Sequence, residues 1–247
     1  MGEVIGIIGS YLIRIAPGLV LGGAVLYFMK GKPHARIVLY VALFILLRDA
    51  MTPLGLWSFG REGFFWIRLH PNPLFLIVFG VSCGFISLLL YVLDRYNRDL
   101  VQWTRGNVLP GFAAGSAGAA VVTLPLIIIY HYVSIESRGG AVPPVSILPV
   151  LIFALLGNLL EETLFRGYVL GFLSRDMGLF RAGIVSGVIF SFCHIFLSIT
   201  VTGIGYPLLV FALWEGIIAG LVGARYGVLP ATLTHGGAIF ILTSGIV

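Results

Sequence analysis

The chain has 247 residues, of which 59% are hydrophobic and only 10% charged. A soluble domain carries about 25% charged residues, so too little polar surface is present to cover a water-facing globule, and the expected class is an all-α, polytopic membrane protein. The net charge of +5 is spread through short loops with no patch rich in interleaved aromatics, so it is not a nucleic-acid signature.

The first segment reads as a membrane helix rather than a cleavable signal. Met1-Gly2-Glu3 lacks a basic region, Arg14 interrupts the apolar run and no small-residue cleavage site follows cleanly. A spanning helix needs about 20 mostly apolar residues. Such runs lie near residues 5–28, 37–57, 73–93, 108–132, 146–171, 182–200, 205–224 and 228–246, so about eight spans are expected. The second run carries Arg48, Asp49 and Pro53 and is the one expected to break before it crosses. Gly157, Gly187, Gly220 and Pro125 punctuate the others, as membrane helices allow when neighbours satisfy freed backbone groups. Residues 1–144 form an N-terminal set of about four helices and residues 145–247 a second set of four, in one integral membrane unit. Cys83 and Cys193 sit in apolar runs and read as buried small hydrophobes.

The short loops carry the orientation. Lys30, Lys32, Arg36, Arg95, Arg98, Arg105, Arg175, Arg181 and Arg225 fall in odd-numbered loops, and only Arg61, Arg68 and Arg138 in even ones. Lys and Arg are retained on the cytoplasmic side. Both termini are therefore expected outside, in a multi-pass protein of the cell membrane.

Charged groups at a helix centre in hydrocarbon cost at least about 2.5–3.5 kcal/mol each, and mark functional sites by default. The most loaded segment is Asn158-Leu159-Leu160-Glu161-Glu162-Thr163-Leu164-Phe165-Arg166. Glu162 and Arg166 stand one helical turn apart and can pair. Glu161 is rotated about 100° away and is left unneutralised, with Asn158 one turn before it as a potential hydrogen-bond donor. The paired carboxylate reads as structural and the unpaired one as chemical. Phe190 and His194 lie in the next span and His235 in the last. A lone histidine on an apolar helix is usually a satisfied core residue. Two of them beside an unpaired glutamate make a constellation. At about 1.5 Å per residue, Glu161 lies roughly 15 Å, His235 about 10 Å and His194 nearer 20 Å from the cytoplasmic helix ends, so the three can meet in the cytoplasmic half of the bilayer.

Glu161-Glu162-x-x-x-Arg166, then Phe190-x-x-x-His194, then His235 resembles the motif series of the CPBP family (CAAX proteases and bacteriocin-processing enzymes, also called the Abi family). The approach to the last motif, through Gly216, Gly220, Gly223, Arg225-Tyr226-Gly227 and Pro230, is similar as well. The resemblance covers about residues 145–245, and the first half matches only in being hydrophobic. It implies a glutamic-type intramembrane endopeptidase on an eight-helix fold, with no metal or other cofactor and a membrane-associated protein or peptide as substrate. On that reading Glu161 is the general base, His194 holds and polarises the water and His235 donates to the oxyanion, while Glu162 and Arg166 hold the helix turn. Gly236 and Gly237 would leave room for substrate backbone.

One position departs from that pattern. The family often has Asn or Asp four residues after the last histidine, where this chain has Ile239, which has no side-chain donor. Glu215 is a further oddity at about the depth of Glu161: an added site residue, or a water-facing carboxylate in the same cavity. Other classes fit less well. No His-Glu-x-x-His, Gly-x-Ser-Gly or Gly-x-Gly-Asp motif is present. A zinc site from Glu161, His194 and His235 is chemically allowed. A non-catalytic binding, immunity or scaffold protein is the competing reading, and a transporter would need a repeat that is not visible.

Overall fold

The computed structural model describes residues 2–29 and 31–247, so Lys30 of the first basic loop lies outside the described residues. The helices are α1 (Gly2–Phe28), α2 (Pro33–Met51), α3 (Pro73–Leu93), α4 (Val108–Tyr130), α5 (Pro144–Glu162), α6 (Leu170–Met177), α7 (Leu179–Phe192), α8 (Tyr206–Tyr226) and α9 (Val228–Ser244). A π-helical stretch, Thr163–Val169, joins α5 to α6 without interruption, and a second, Leu197–Val201, follows α7. Six stretches among the described residues are long and apolar enough to cross a bilayer: Val4–Phe28, Pro73–Leu93, Val108–Tyr130, Pro144–Met177, Leu179–Val201 and Tyr206–Tyr226. α2 carries three charged residues and α9 is only 17 residues long. The architecture is the all-α polytopic fold expected from composition.

Local chemistry sets the helix ends. Asn72 caps α3, its side chain accepting from the backbone N–H groups of Leu74 and Phe75, with Pro73 in the first turn. α2 does not break at its charges. It stays helical to Met51, and a single 3-10 turn over Thr52–Leu54 then ends it. Its buried positions Ile37, Tyr40, Phe44, Arg48 and Met51 recur at three- and four-residue intervals, so Arg48 lies on the inward stripe and not on a disrupted end. Between α2 and α3 the structure adds an antiparallel hairpin, β1 (Trp57–Gly60) and β2 (Trp66–Leu69), with Trp57 opposite Leu69. A reading by long apolar runs leaves this segment as loop, because two four-residue strands are too short to register.

The hairpin is pinned by Arg68, which donates to the carbonyls of Leu242 and Gly140, while Arg138 donates to those of Val133 and Val247. The hairpin, the 131–143 loop and the C-terminus therefore share one end of the bundle. At the other end the 94–107 loop meets the α8–α9 corner: Arg105 N–H donates to Tyr226, and Val228 and Leu229 N–H donate to Gln102 and Trp103. That corner turns at Gly227, whose φ of +97° suits a residue without a Cβ. Even-numbered and odd-numbered loops thus collect at opposite ends. Two of the three even-loop arginines are buried in carbonyl contacts.

Small residues let the C-terminal helices approach closely, as membrane interfaces require. α7 and α8 cross at Gly183 against Gly220 and Gly187 against Gly216. A Cβ on Gly187 would stand 2.6 Å from the Gly216 carbonyl oxygen, and one on Gly220 would overlap the Gly183 carbonyl. α9 sits on α5 through Gly236, where a Cβ would be 2.6 Å from the Ala154 oxygen. These contacts are backbone to backbone, so no rotamer change relieves them. Gly220→Val should force α7 and α8 apart and destabilise by at least the roughly 1–3 kcal/mol typical of overpacking. A melting temperature in detergent equal to that of the wild type would show that the crossing does not depend on this contact.

Candidate active site

Glu161 and Glu162 close α5 immediately before the π-helical stretch. The wider turn leaves the Phe165 carbonyl accepting from Leu170 N–H five residues on and from the Ser186 hydroxyl at 2.7 Å. Such π segments often accompany functional sites. Here the turn is held by a neighbouring helix and presents Arg166 inward, back towards Glu162.

Glu162 is fully buried and saturated on one oxygen. Its Oε1 accepts from Arg166 Nη1 at 3.0 Å and from His235 Nδ1 at 2.8 Å. Arg166 also donates through Nη2 to the Gly216 carbonyl at 2.8 Å and lies 4.7 Å over the Phe190 ring. The expected Glu162–Arg166 pair is present, and it reaches beyond its own helix to α8 and α9. The other ring nitrogen of His235, Nε2, stands 3.3 Å from Glu215 Oε2. His235 thus lies between two carboxylates, and Glu215 belongs to the same cluster as Glu161.

Glu161 points elsewhere. It borders a cavity of about 540 Å³ that Asn158, His194, Glu215, His235 and Ile239 also line, and that Glu162 does not reach. Its Oε2 is buried without a hydrogen-bond partner. Asn158 does not supply one: its amide donates to the Ala154 carbonyl one turn earlier, at 2.6 Å. The i−4 carbonyl is nearer to that side chain than the carboxylate is, a common outcome for a polar residue in an apolar helix. Gly236 and Gly237 do not open room for substrate either. The spaces beside them are filled by α5 backbone at Ala154–Leu155 and by the Ala119 methyl group.

His194 follows α7 at the start of a turn. Its Nε2 is 3.1 Å from Arg48 Nη1 and its Nδ1 is 2.8 Å from the Phe190 carbonyl oxygen. A guanidinium only donates, so Nε2 accepts and the proton resides on Nδ1, donated to Phe190. The Phe190 ring packs against both histidines, with centroids 4.4 Å from His194 and 5.4 Å from His235, and so spaces the two imidazoles. Arg48 also donates through Nη2 to the Cys193 carbonyl at 2.7 Å and through Nε to Asp49 at 2.8 Å. By sequence alone Arg48 and Asp49, with Pro53, only mark a run expected to break. The signal that places Arg48 in the site is its position on the Ile37, Tyr40, Phe44 stripe.

Residues 141–241, which run from just before α5 into α9, match the family model described as type II CAAX prenyl endopeptidase Rce1-like. The match agrees with the resemblance of that segment to the CPBP/CAAX protease family. Comparison with curated proteins and with solved structures gave no significant match. The Rce1-like segment contains Glu161, Glu162, Arg166, Phe190, His194, Glu215 and His235 and excludes Arg48. Among the described residues, no three His, Cys, Asp or Glu side chains are grouped so as to hold a metal ion.

The two adjacent glutamates have different environments, and their amide variants should separate accordingly. Glu162→Gln leaves Arg166 buried without its counter-charge, and should destabilise by about 3–5 kcal/mol, the usual result of breaking a buried pair. Glu161→Gln removes no ion pair and should melt near the wild-type temperature. Thermal unfolding of both variants in detergent checks the difference. The reverse order would exchange their roles.

Proposed function

We propose that the protein is an intramembrane endopeptidase that hydrolyses a peptide bond with a water activated by Glu161. The observation that carries this reading is the Glu161 carboxylate: buried, unpartnered on Oε2 and facing a cavity that both histidines line. A general base must be free to take a proton from water within hydrogen-bond reach. Glu162 Oε2 and Glu215 Oε1 are also without a partner. Glu162, however, does not line the cavity and its Oε1 is held by Arg166 and His235. Glu215 stands against His235, whereas Glu161 makes no ion pair or hydrogen bond to Arg166 or His235. The Rce1-like match supports the protease class.

On this reading water binds between Glu161 and the His194 side of the cavity. Glu161 takes its proton as the oxygen attacks the scissile carbonyl, and returns a proton to the departing amine. Glu162, Arg166 and Phe190 hold the helix turn and the ring spacing, and Asn158 closes the wall beside Glu161. His235 sets the charge of the cluster by standing between Glu162 and Glu215. No metal or other cofactor takes part in these steps. The substrate is a protein or peptide associated with the lipid bilayer. Tyr11, Ile15, Phe44, Phe79 and Ile86 form an apolar cavity wall suited to a substrate with a hydrophobic anchor, and the family description points to a prenyl group.

Two outcomes test this reading. A farnesylated peptide with a C-terminal CAAX sequence, or another membrane-anchored peptide recovered by comparing membrane proteomes, should be cleaved by the wild type. Glu161→Gln should be inactive though folded, His235→Ala nearly inactive, and chelators without effect. Tight binding without cleavage, with Glu161 dispensable, would replace the enzyme by a binding protein, the alternative that the apolar Ile239 favours. One zinc per chain, lost with activity in His194→Ala, would replace the mechanism by a metal-dependent one.

We also propose that the basic end of the bundle is cytoplasmic, in the cell membrane, with both termini outside and the cluster in the cytoplasmic half. Lys32, Arg36, Arg95, Arg98, Arg105, Arg175, Arg181 and Arg225 support it. A reporter fused after Val247 should be active only in an outside-sensing format. Activity in the cytoplasmic format would invert the protein and move the site to the other leaflet.

A further inference from the structure

Hydrolysis of a peptide bond places a negative charge on the carbonyl oxygen, and in an apolar cavity that charge needs preorganised donors. The cluster is poorly supplied with them. His194 uses its only N–H on the Phe190 carbonyl, since Nε2 accepts from Arg48. His235 directs Nδ1 to Glu162 and has Nε2 already beside Glu215. Ile239, one turn after His235 on the cavity wall, has no polar side chain. Tyr11 gives its hydroxyl to the Leu47 carbonyl, and Trp57 its ring N–H to Thr52. Tyr40 is engaged with Arg36 and Asp94, Ser82 gives its hydroxyl to the Val78 carbonyl, and the Cys83 thiol is only a weak donor. Of the stronger donors lining the cavity, two retain spare hydrogens. Asn158 has one, on a neutral amide drawn back to Ala154. Arg48 has five N–H bonds, and its three contacts, to Asp49, His194 and Cys193, use one each on Nε, Nη1 and Nη2. One hydrogen remains on each terminal nitrogen, on a cation that touches the His194 ring.

We propose that Arg48, supplied by α2 from outside the Rce1-like segment, is a catalytic residue of this site and the principal donor to the oxyanion. The proposal rests on the protease reading. Water oxygen bonds to the carbonyl carbon while its proton passes to Glu161. The carbonyl π pair moves onto the oxygen, which accepts from the free N–H groups of Nη1 and Nη2. When the pair returns, the C–N bond breaks and Glu161 passes the proton to the leaving nitrogen. Three fixed contacts hold the guanidinium before substrate arrives, so no reorganisation accompanies charge development. Asp49 beside it offsets the cost of keeping the cation buried when the cavity is empty. The N-terminal helices then supply part of the chemistry as well as the lipid-facing wall, and the Rce1-like segment alone is an incomplete site.

The experiment compares purified wild type, Arg48→Lys and the charge-neutral double variant Arg48→Met/Asp49→Asn on the farnesylated CAAX peptide and on its peptide-aldehyde analogue, whose hydrated form mimics the tetrahedral intermediate. Lysine keeps the charge but cannot hold three fixed contacts and still offer two donors. The expected result is a fall in kcat of about 10²–10³-fold for both variants, the usual effect of losing an oxyanion donor, with KM unchanged and aldehyde affinity falling in parallel. Melting curves and binding of an uncleavable reduced-amide peptide identify folded protein. The double variant keeps the test open if Arg48→Lys alone misfolds. Folded variants that retain wild-type kcat, or lose substrate and aldehyde affinity equally, would overturn the role of Arg48 while leaving the protease reading intact. A wild type that binds the peptide but cleaves neither it nor any membrane-anchored peptide overturns the protease reading, and the proposal with it.

Discussion

Glu162 Oε1 receives N–H groups from Arg166 and His235, and the rest of the C-terminal half is arranged around that shared atom. Each of the three groups would be costly alone in an apolar interior, because the charged form loses hydration that nothing replaces. Together they form a junction. Arg166 continues to the Gly216 carbonyl on α8, and His235 continues to Glu215 beside it. One carboxylate oxygen thus ties α5, its π-helical extension, α8 and α9. The ties are directional where lipid-facing packing is not, and in a bilayer the hydrophobic effect does little to favour one helix arrangement over another.

The junction also explains why two adjacent glutamates have separate fates. Consecutive helical side chains diverge by about 100°, so a residue next to one that points into the helix contact must point elsewhere. Glu162 takes the contact with α9, and Glu161 is left facing the cavity. The glycines make the contact close enough to matter. Without the approach of Gly236 to the Ala154 carbonyl, and of Gly187 to Gly216, the His235 ring could not reach Glu162 and the Phe190 ring could not separate the two histidines. Backbone proximity, purchased with missing side chains, is what turns dispersed polar residues into one cluster.

The N-terminal half contributes more than bulk. α2 brings Arg48 to His194 across a sequence separation of 146 residues and sets that ring's tautomer. The hairpin caps one end of the cavity with Phe65 and Ile67, and Arg68 anchors it to the end of α9. The basic loops gather at the opposite end, where the 94–107 segment is hydrogen-bonded to the α8–α9 corner.

Composition and run length by themselves determined the membrane class and the helical architecture, because the requirement to satisfy every backbone group in lipid leaves few alternatives. The Glu162–Arg166 pair was legible for the same kind of reason: helical periodicity places residues four apart on one face whatever surrounds them. The candidate residues Glu161, His194 and His235 were legible as ionisable groups in apolar segments. What they touch was not. Asn158 turned to its own helix carbonyl, Gly236 and Gly237 were filled by α5 and α4, and His235 was caught between Glu162 and Glu215. Each depends on which helix lies alongside, and no local pattern encodes that. Arg48 is the clearest case. Its place on the stripe of Ile37, Tyr40 and Phe44 shows from the sequence that it faces inward, but only the placement of α2 against the π-helical stretch and the turn after α7 decides that it meets a histidine there, because contacts between distant segments are made by tertiary geometry and not by spacing along the chain.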